Sequence, residues 1–209
     1  RRWKIPSLSP SASVADVALV WRNLLPAGRE RAGVTRIGIL RSGPQSRSVS
    51  LSLESGASLL AKAGAAVEFL EFDWLADAAA AGLVIAAVES SQQPWATKLQ
   101  ADVRDGVRDL LTAGRGADAA AYQRALLFKN YVTAEAARLL AIYDVIVSPV
   151  VPGPAPRTDS PVFVIEGEIV PWLDIANIHL AWSNLAGVPS LTVPVALGVG
   201  GSITSLQVT

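Results

Sequence analysis

The 209-residue sequence contains no cysteine, no methionine and a single histidine, His179. Without cysteine there is no disulfide, no thiolate nucleophile, no Cys-type zinc site and no iron–sulfur cluster. With one imidazole, any Ser-His-Asp relay has to run through His179, and a metal site built from several histidines is excluded. An excess of one charge is also missing. The 18 basic and 18 acidic residues cancel, so the whole chain carries no electrostatic footprint for nucleic acid or an anionic membrane. Charged residues make up 17% of the chain and hydrophobic ones 51%, the reverse of the composition that keeps a chain disordered. The longest apolar stretch, Ala76 to Val88, is interrupted by Asp77 and is shorter than the roughly 20 residues a membrane span needs. Arg1, Arg2 and Lys4 are followed by Pro6, Pro10 and serines where a secretory apolar core would stand. These absences describe a soluble, cytoplasmic chain acting without metal or cofactor, with neither nucleic acid nor membrane as partner. A chain that lacks methionine and starts Arg1-Arg2-Trp3 is expected to be a processed or internal piece of a longer one.

What is present is patterned. Arg1 to Pro10 reads as a proline- and serine-punctuated strap, and Ala12 to Leu25 has helical apolar spacing that stops at Pro26-Ala27-Gly28. Thr35 to Arg41 is strand-like, and Val49, Leu53, Ala57 and Leu60 fall on one helix face. Gly64 stands where a left-handed cap is wanted, and Ala66 to Phe72 is strand-like again. This is a β-α-β unit. The turn into its helix, Gly43-Pro44-Gln45-Ser46-Arg47, lacks the glycine spacing that cradles a dinucleotide phosphate. Leu99, Val103, Val107, Leu110 and Leu111 form one apolar stripe, broken at Gly114-Arg115-Gly116. Ala119 to Ile142 reads as a long helix with Ala125, Phe128, Val132, Ala136 and Leu139 inward, and Glu135 and Arg138 form an exposed i, i+3 pair. In the last third, Tyr143 to Pro149 reads as a buried strand and Val162 to Ile165 as a short one. Pro171 to Trp182 reads as a helix, and Ser190 to Val195 and Ile203 to Val208 as strands joined through Gly198-Val199-Gly200-Gly201. The order predicts an α/β fold, a mixed β-sheet flanked by helices.

Several blocks in this last third resemble the amidase signature family. Tyr143-Asp144-Val145-Ile146-Val147-Ser148-Pro149 with Ala155-Pro156 is similar to the family's "YDvlvsPt...AP" strand and loop. Asn184-Leu185-Ala186-Gly187-Val188-Pro189-Ser190-Leu191-Thr192-Val193-Pro194 resembles its "N-L-A/T-G-x-P-a-l-s-v-P" segment, and Gly201 to Gln207 stands at its "GLPvGlQ". Arg36 to Leu40, then a helix, then Gly64 to Glu68, is similar to the family's "rIGvl...GaeV.e" unit. The resemblance implies α/β/α layers present as a partial domain. Residues 1–30 then form an N-terminal strap and helix, and residues 31–209 the C-terminal part of an amidase-like α/β domain.

The resemblance also implies hydrolysis of carboxylic amides, with esters, anilides or carbamates as variants, by a Ser, a cis-Ser and a Lys. In the family these precede the part matched here. Lys4, Lys62, Lys98 and Lys129 are not followed by Asp, none has a serine three residues before it, and the Gly-Ser-rich run is absent. Gly200-Gly201-Ser202 matches that run only superficially, because its place in the chain is that of the "GLP" turn. No catalytic residue is therefore expected on this chain alone. The expected partners are an N-terminal catalytic segment or companion chain and a small-molecule amide, with a homodimer left open.

What this part would supply is one wall of the acyl pocket. The substrate-facing candidates are Trp172, Ile175, Asn177, His179 and Trp182, with Pro149, Asn184, Gly187 and Pro189 structuring the adjoining loops. Asn177 stands seven residues before Asn184, where the tRNA-dependent amidotransferase branch has a substrate-binding Asp. Loss of that charge argues against a charged amino-acid substrate, and the two tryptophans offer flat surface for an aryl or alkyl group. Each candidate also has a plainer reading: the tryptophans as core, His179 as a hydrogen-bonded structural imidazole, Asn184 as a pin for loop backbone. Two alternatives stand beside the enzyme reading: a non-catalytic binding or assembly subunit with an amidase-like half fold, and a small ligand-binding α/β domain unrelated to amidases.

Overall fold

Ile37 and Ile39 alternate with Gly38 and Leu40, and this period of two builds the central strand β1 (Arg36–Leu40). The computed structural model describes residues 14, 15, 18, 19, 33–96, 105–196 and 203–209. Val34–Thr209 forms one unit, apart from Arg1–Gly33. The N-terminal strap, most of the helix expected from Ala12 to Leu25, Leu99, Val103, the Gly198–Gly201 connection and Ser202 lie outside the described residues.

After β1, Ser46 caps helix α1 (Arg47–Lys62) through its hydroxyl, which accepts from the Val49 amide. The chain turns at Gly64, φ +95°, into β2 (Ala66–Leu70), parallel to β1. The alanine-rich run forms α2 (Leu75–Ser91). Then come α3 (Asp105–Arg115) and α4 (Ala119–Leu140), the latter capped by the Asp118 carboxylate on the Ala120 amide at 2.9 Å. Strand β3 (Val145–Pro149) is followed by the hairpin β4 (Val162–Ile165) and β5 (Glu168–Pro171). Two short helices, α5 (Trp172–Ile175) and α6 (Ala181–Ala186), lead to β6 (Leu191–Ala196) and β7 (Ile203–Val208).

The main sheet has the order β2-β1-β3-β7-β6. Its first three strands are parallel, and β7 runs antiparallel to both β3 and β6. The strands expected near residues 36, 145 and 191 thus share one sheet, and it is mixed. On one face Ile37, Ile39, Val147 and Leu206 pack on Leu53 and Ala57 of α1. There the Ser52 and Thr204 hydroxyls bond at 2.5 Å, tying α1 to β7. On the other face Leu40 and Ile146 pack under α2, α4 and α6, through Leu75, Ala78, Val132, Ala136, Leu139, Trp182 and Leu185. Each fully buried aliphatic or aromatic side chain contributes about 1.5–3 kcal/mol, so these two apolar faces hold the layers together. At the entry to β1 and β3, Asp144 Oδ2 accepts from the Thr35 amide, the Thr35 hydroxyl and the Arg36 amide at 2.9, 3.1 and 2.9 Å.

The helix ends at Arg115, within the expected break Gly114-Arg115-Gly116, but Gly114 itself stands in the last turn of α3, where an added Cβ would run into the Ala87 carbonyl oxygen of α2. The glycine is there because two helix backbones meet. The single helix expected from Pro171 to Trp182 is two short ones joined by a turn. Pro171 belongs to β5, pairing with Val162, so the chain enters α5 from an extended strand.

Candidate functional site

Open α/β sheets place their ligand crevice outside the carboxyl ends of the parallel strands. Here the carboxyl ends of β1 and β3 carry the turn Ser42–Ser46 and the proline-rich segment Val150–Pro156, and a backbone bond from the Ser46 amide to the Pro152 carbonyl, 2.7 Å, joins the two. The Ser42 hydroxyl accepts from the Phe72 amide, fixing the exit of β2 to the same edge. Phe72 stacks on Trp74 with ring centroids 4.7 Å apart and meets Trp182 edge-on at 6.0 Å.

His179 closes this edge from above. A carbonyl can only accept, so His179 Nε2 carries the proton and donates to the Pro44 carbonyl at 3.0 Å. The ring is fully buried, Nδ1 has no partner among the described residues, and burial holds the imidazole pKa below its ordinary 6.5 against the opposing pull of the Pro44 bond. Gly43, φ +91°, sits against the ring: an added Cβ would lie 2.9 Å from His179 Cε1. Trp182 is fully buried with Nε1 unpartnered among the described residues, and the buried Ser148 Oγ is likewise unpartnered. Beside Ser148 in register, Gln207 donates through Nε2 to the Ser183 hydroxyl at 3.0 Å, which holds α6 over β3 and β7.

The five wall candidates therefore divide. Trp172 and Asn177 are exposed and Ile175 is half-buried beside the hairpin core of Phe163, Ile165 and Ala176. His179 and Trp182 are buried elsewhere, His179 against the Pro44 carbonyl and Trp182 in the core formed by the sheet with α2, α4 and α6. Among the loop residues, Pro149 is buried at the end of β3, and Gly187, φ 69°, is the left-handed cap of α6, its amide bonded to the Ser183 and Asn184 carbonyls. Asn184 and Pro189 are exposed. Sequence reasoning missed Gly43, Pro44, Gln207 and Phe72 as parts of this edge. The signal available for the first two was a glycine–proline turn directly after a parallel strand. Among the described residues no group of three or more His, Asp or Glu side chains could hold a metal ion, and no helix is long and apolar enough to cross a membrane.

The family model named Amidase matches residues 23–209, nearly the whole chain. The chain belongs to the Amidase family. Solved structures agree in fold. An amidase aligns with 20% identity and a TM-score of 0.72, covering 86% of this amidase-family chain and 42% of its own. A bacterial aryl acylamidase of the amidase signature family aligns with 16% identity and a TM-score of 0.66, covering 84% and 39%. A glutamyl-tRNA(Gln) amidotransferase polypeptide from Thermotoga maritima aligns with 25% identity and a TM-score of 0.60, covering 84% and 39%. The chain thus spans about two fifths of the length of these structures. No curated protein matches it.

Proposed function

We propose that this chain supplies the scaffold and one acyl-pocket wall of an amidohydrolase that cleaves carboxylic amides, while a Ser, a cis-Ser and a Lys on a preceding segment or companion chain perform the chemistry. The observation that carries this reading is the family match over residues 23–209, together with the span of about two fifths of the solved chains. A serine hydroxyl attacks an amide carbonyl only when a neighbouring base takes its proton. A lysine serves as that base only when burial or nearby donors lower its pKa. Of the two described lysines, Lys62 is exposed at the end of α1 and Lys129 is a half-buried residue of α4.

The residues of this chain would bind and orient. Trp172 would offer an exposed indole face to an aryl or alkyl acyl group, and the exposed, uncharged Asn177 amide a donor or acceptor. The buried His179 and Trp182 would act by holding the sheet edge, the first through Pro44 and the second through Phe72. Esters, anilides and carbamates present a similar carbonyl and extend the substrate class.

The test is an assay of amide, anilide and ester cleavage by the chain alone and by its complex with the companion polypeptide. The complex is expected to cleave a neutral aryl or alkyl amide, to lose that activity when the companion's lysine becomes alanine, and to lose affinity for aryl amides with Trp172→Ala. Hydrolysis by the isolated 209-residue chain, or an inactive complex, contradicts the proposal.

A further inference from the structure

A strand with one face on a core alternates apolar and polar residues. The β4–β5 hairpin does not. Its inner face places Phe163 and Ile165 in a small core with Ala176. Its outer face is formed by the register pairs Val162 with Pro171 and Val164 with Ile169, all apolar. Yet Val164 is 59% exposed and Ile169 73%, and the adjoining Trp172 and Leu173 are 36% and 75% exposed. A hairpin that is apolar on both faces is built to be covered on both.

The ends of the patch carry acidic residues: Glu166 stands in the β4–β5 turn and Asp174 follows Leu173 in α5, while Glu168 pairs with Ile165 and so belongs to the inner face. Between residues 150 and 190 the one basic side chain besides the buried His179 is Arg157. Arg157 is engaged by Asp159 at 2.7 Å. Glu166, Glu168 and Asp174 are exposed.

We propose that the outer face of the β4–β5 hairpin, with Leu173, is the docking surface for the polypeptide segment that carries the Ser, cis-Ser and Lys, which meets it with an apolar patch rimmed by basic side chains. This rests on the function proposed above. The acidic ends select among occupants. A second copy docking through the same patch would set these carboxylates against their own counterparts across the two-fold axis. An anionic bilayer would repel them too. A basic-rimmed polypeptide satisfies both the apolar face and the charge. Position favours the same occupant. The hairpin core includes Val151, and Gly153 lies against Phe163, so the patch stands beside the carboxyl edge of the sheet where the pocket wall lies. The solved amidase and aryl acylamidase chains hold more than half of their length outside the part matched here.

A photo-crosslinking residue is placed at position 169 and, as control, at position 127, where Leu127 is exposed on α4. After irradiation in an extract of the source cells, the crosslinked product is sequenced, and the polypeptide found is titrated against wild type, I169E and L173E, each checked for folding by circular dichroism. Position 169 is expected to capture one polypeptide containing a Gly-Ser-rich run and a catalytic lysine, position 127 is not, and each charged variant is expected to weaken binding about tenfold or more. Capture of a second copy, of lipid, of a polypeptide without that run or of nothing, or binding unchanged in both variants, overturns the proposal. The two readings fail separately. A complex that hydrolyses amides but binds I169E as well as wild type removes the docking surface alone, whereas a complex that assembles through position 169 and hydrolyses nothing removes the enzymatic reading alone.

Discussion

At the scale of single residues, His179 and Gly43 form a lock between the β1–α1 turn and the segment that leads into α6. Protonation of His179 would add a second N–H that has no acceptor among the described residues, and burial already favours the neutral ring. Because the folded pKa lies below the unfolded value of 6.5, the unfolded chain binds more protons in the window below pH 6.5. Stability there falls as pH falls, by up to about 1.4 kcal/mol per pH unit from this one group. Urea unfolding between pH 5 and 7.5 checks this; in His179→Gln, whose amide can still donate to Pro44 but does not titrate, that contribution is expected to vanish. Gly43→Ala meets both a left-handed backbone and the His179 ring, and is expected to cost about 2 kcal/mol in the same measurement. Trp172→Ala, by contrast, removes an exposed ring and is expected to alter aryl-amide affinity with little loss of stability.

At the scale of elements, apolar periodicity announced α1, the buried face of α4 and most strands, because a half-buried element repeats its burial in its sequence. Where the exposed face is itself apolar the pattern faded. The run from Leu75 to Ser91 is a helix packed on the sheet, α3, α4 and α6, but its exposed face carries Ala76, Ala80, Leu83 and Ala86, so it shows little amphipathicity and reads as a featureless apolar stretch. Gly114 shows a different difficulty in one residue: locally a helix breaker, it is the contact point of α3 on α2. Gly114→Ala gains helix propensity of about 1 kcal/mol but drives a methyl into the Ala87 carbonyl, so a net loss of about 2 kcal/mol is expected from the urea midpoint. The split of the expected helix at Ala176–Leu180 was hidden because Pro171 suits a first helical turn and an edge strand equally well, and only its pairing with Val162 decides.

At the scale of the whole molecule, the described chain has an apolar surface that its own fold leaves uncovered. Charged substitutions at Ile169 and Leu173 remove no contact of the isolated chain's core, so I169E and L173E are expected to shift its unfolding free energy by no more than about 0.5 kcal/mol, measured by denaturant titration. A loss of several kcal/mol instead would show that the outer hairpin face is already packed. The amino-acid sequence alone determined the class of fold, the β-α-β start, the ordered blocks around Tyr143, Asn184 and Gln207, and the Amidase family to which they belong, because these reside in local periodicity and in residue order. Tertiary structure alone decided that His179 and Trp182 are buried while Trp172 and Asn177 are exposed, that Gly43 and Pro44 receive the imidazole, and that a hairpin apolar on both faces is covered on one. Those facts depend on which distant segments meet at the carboxyl edge of the sheet, and long-range contact leaves no period in a single sequence.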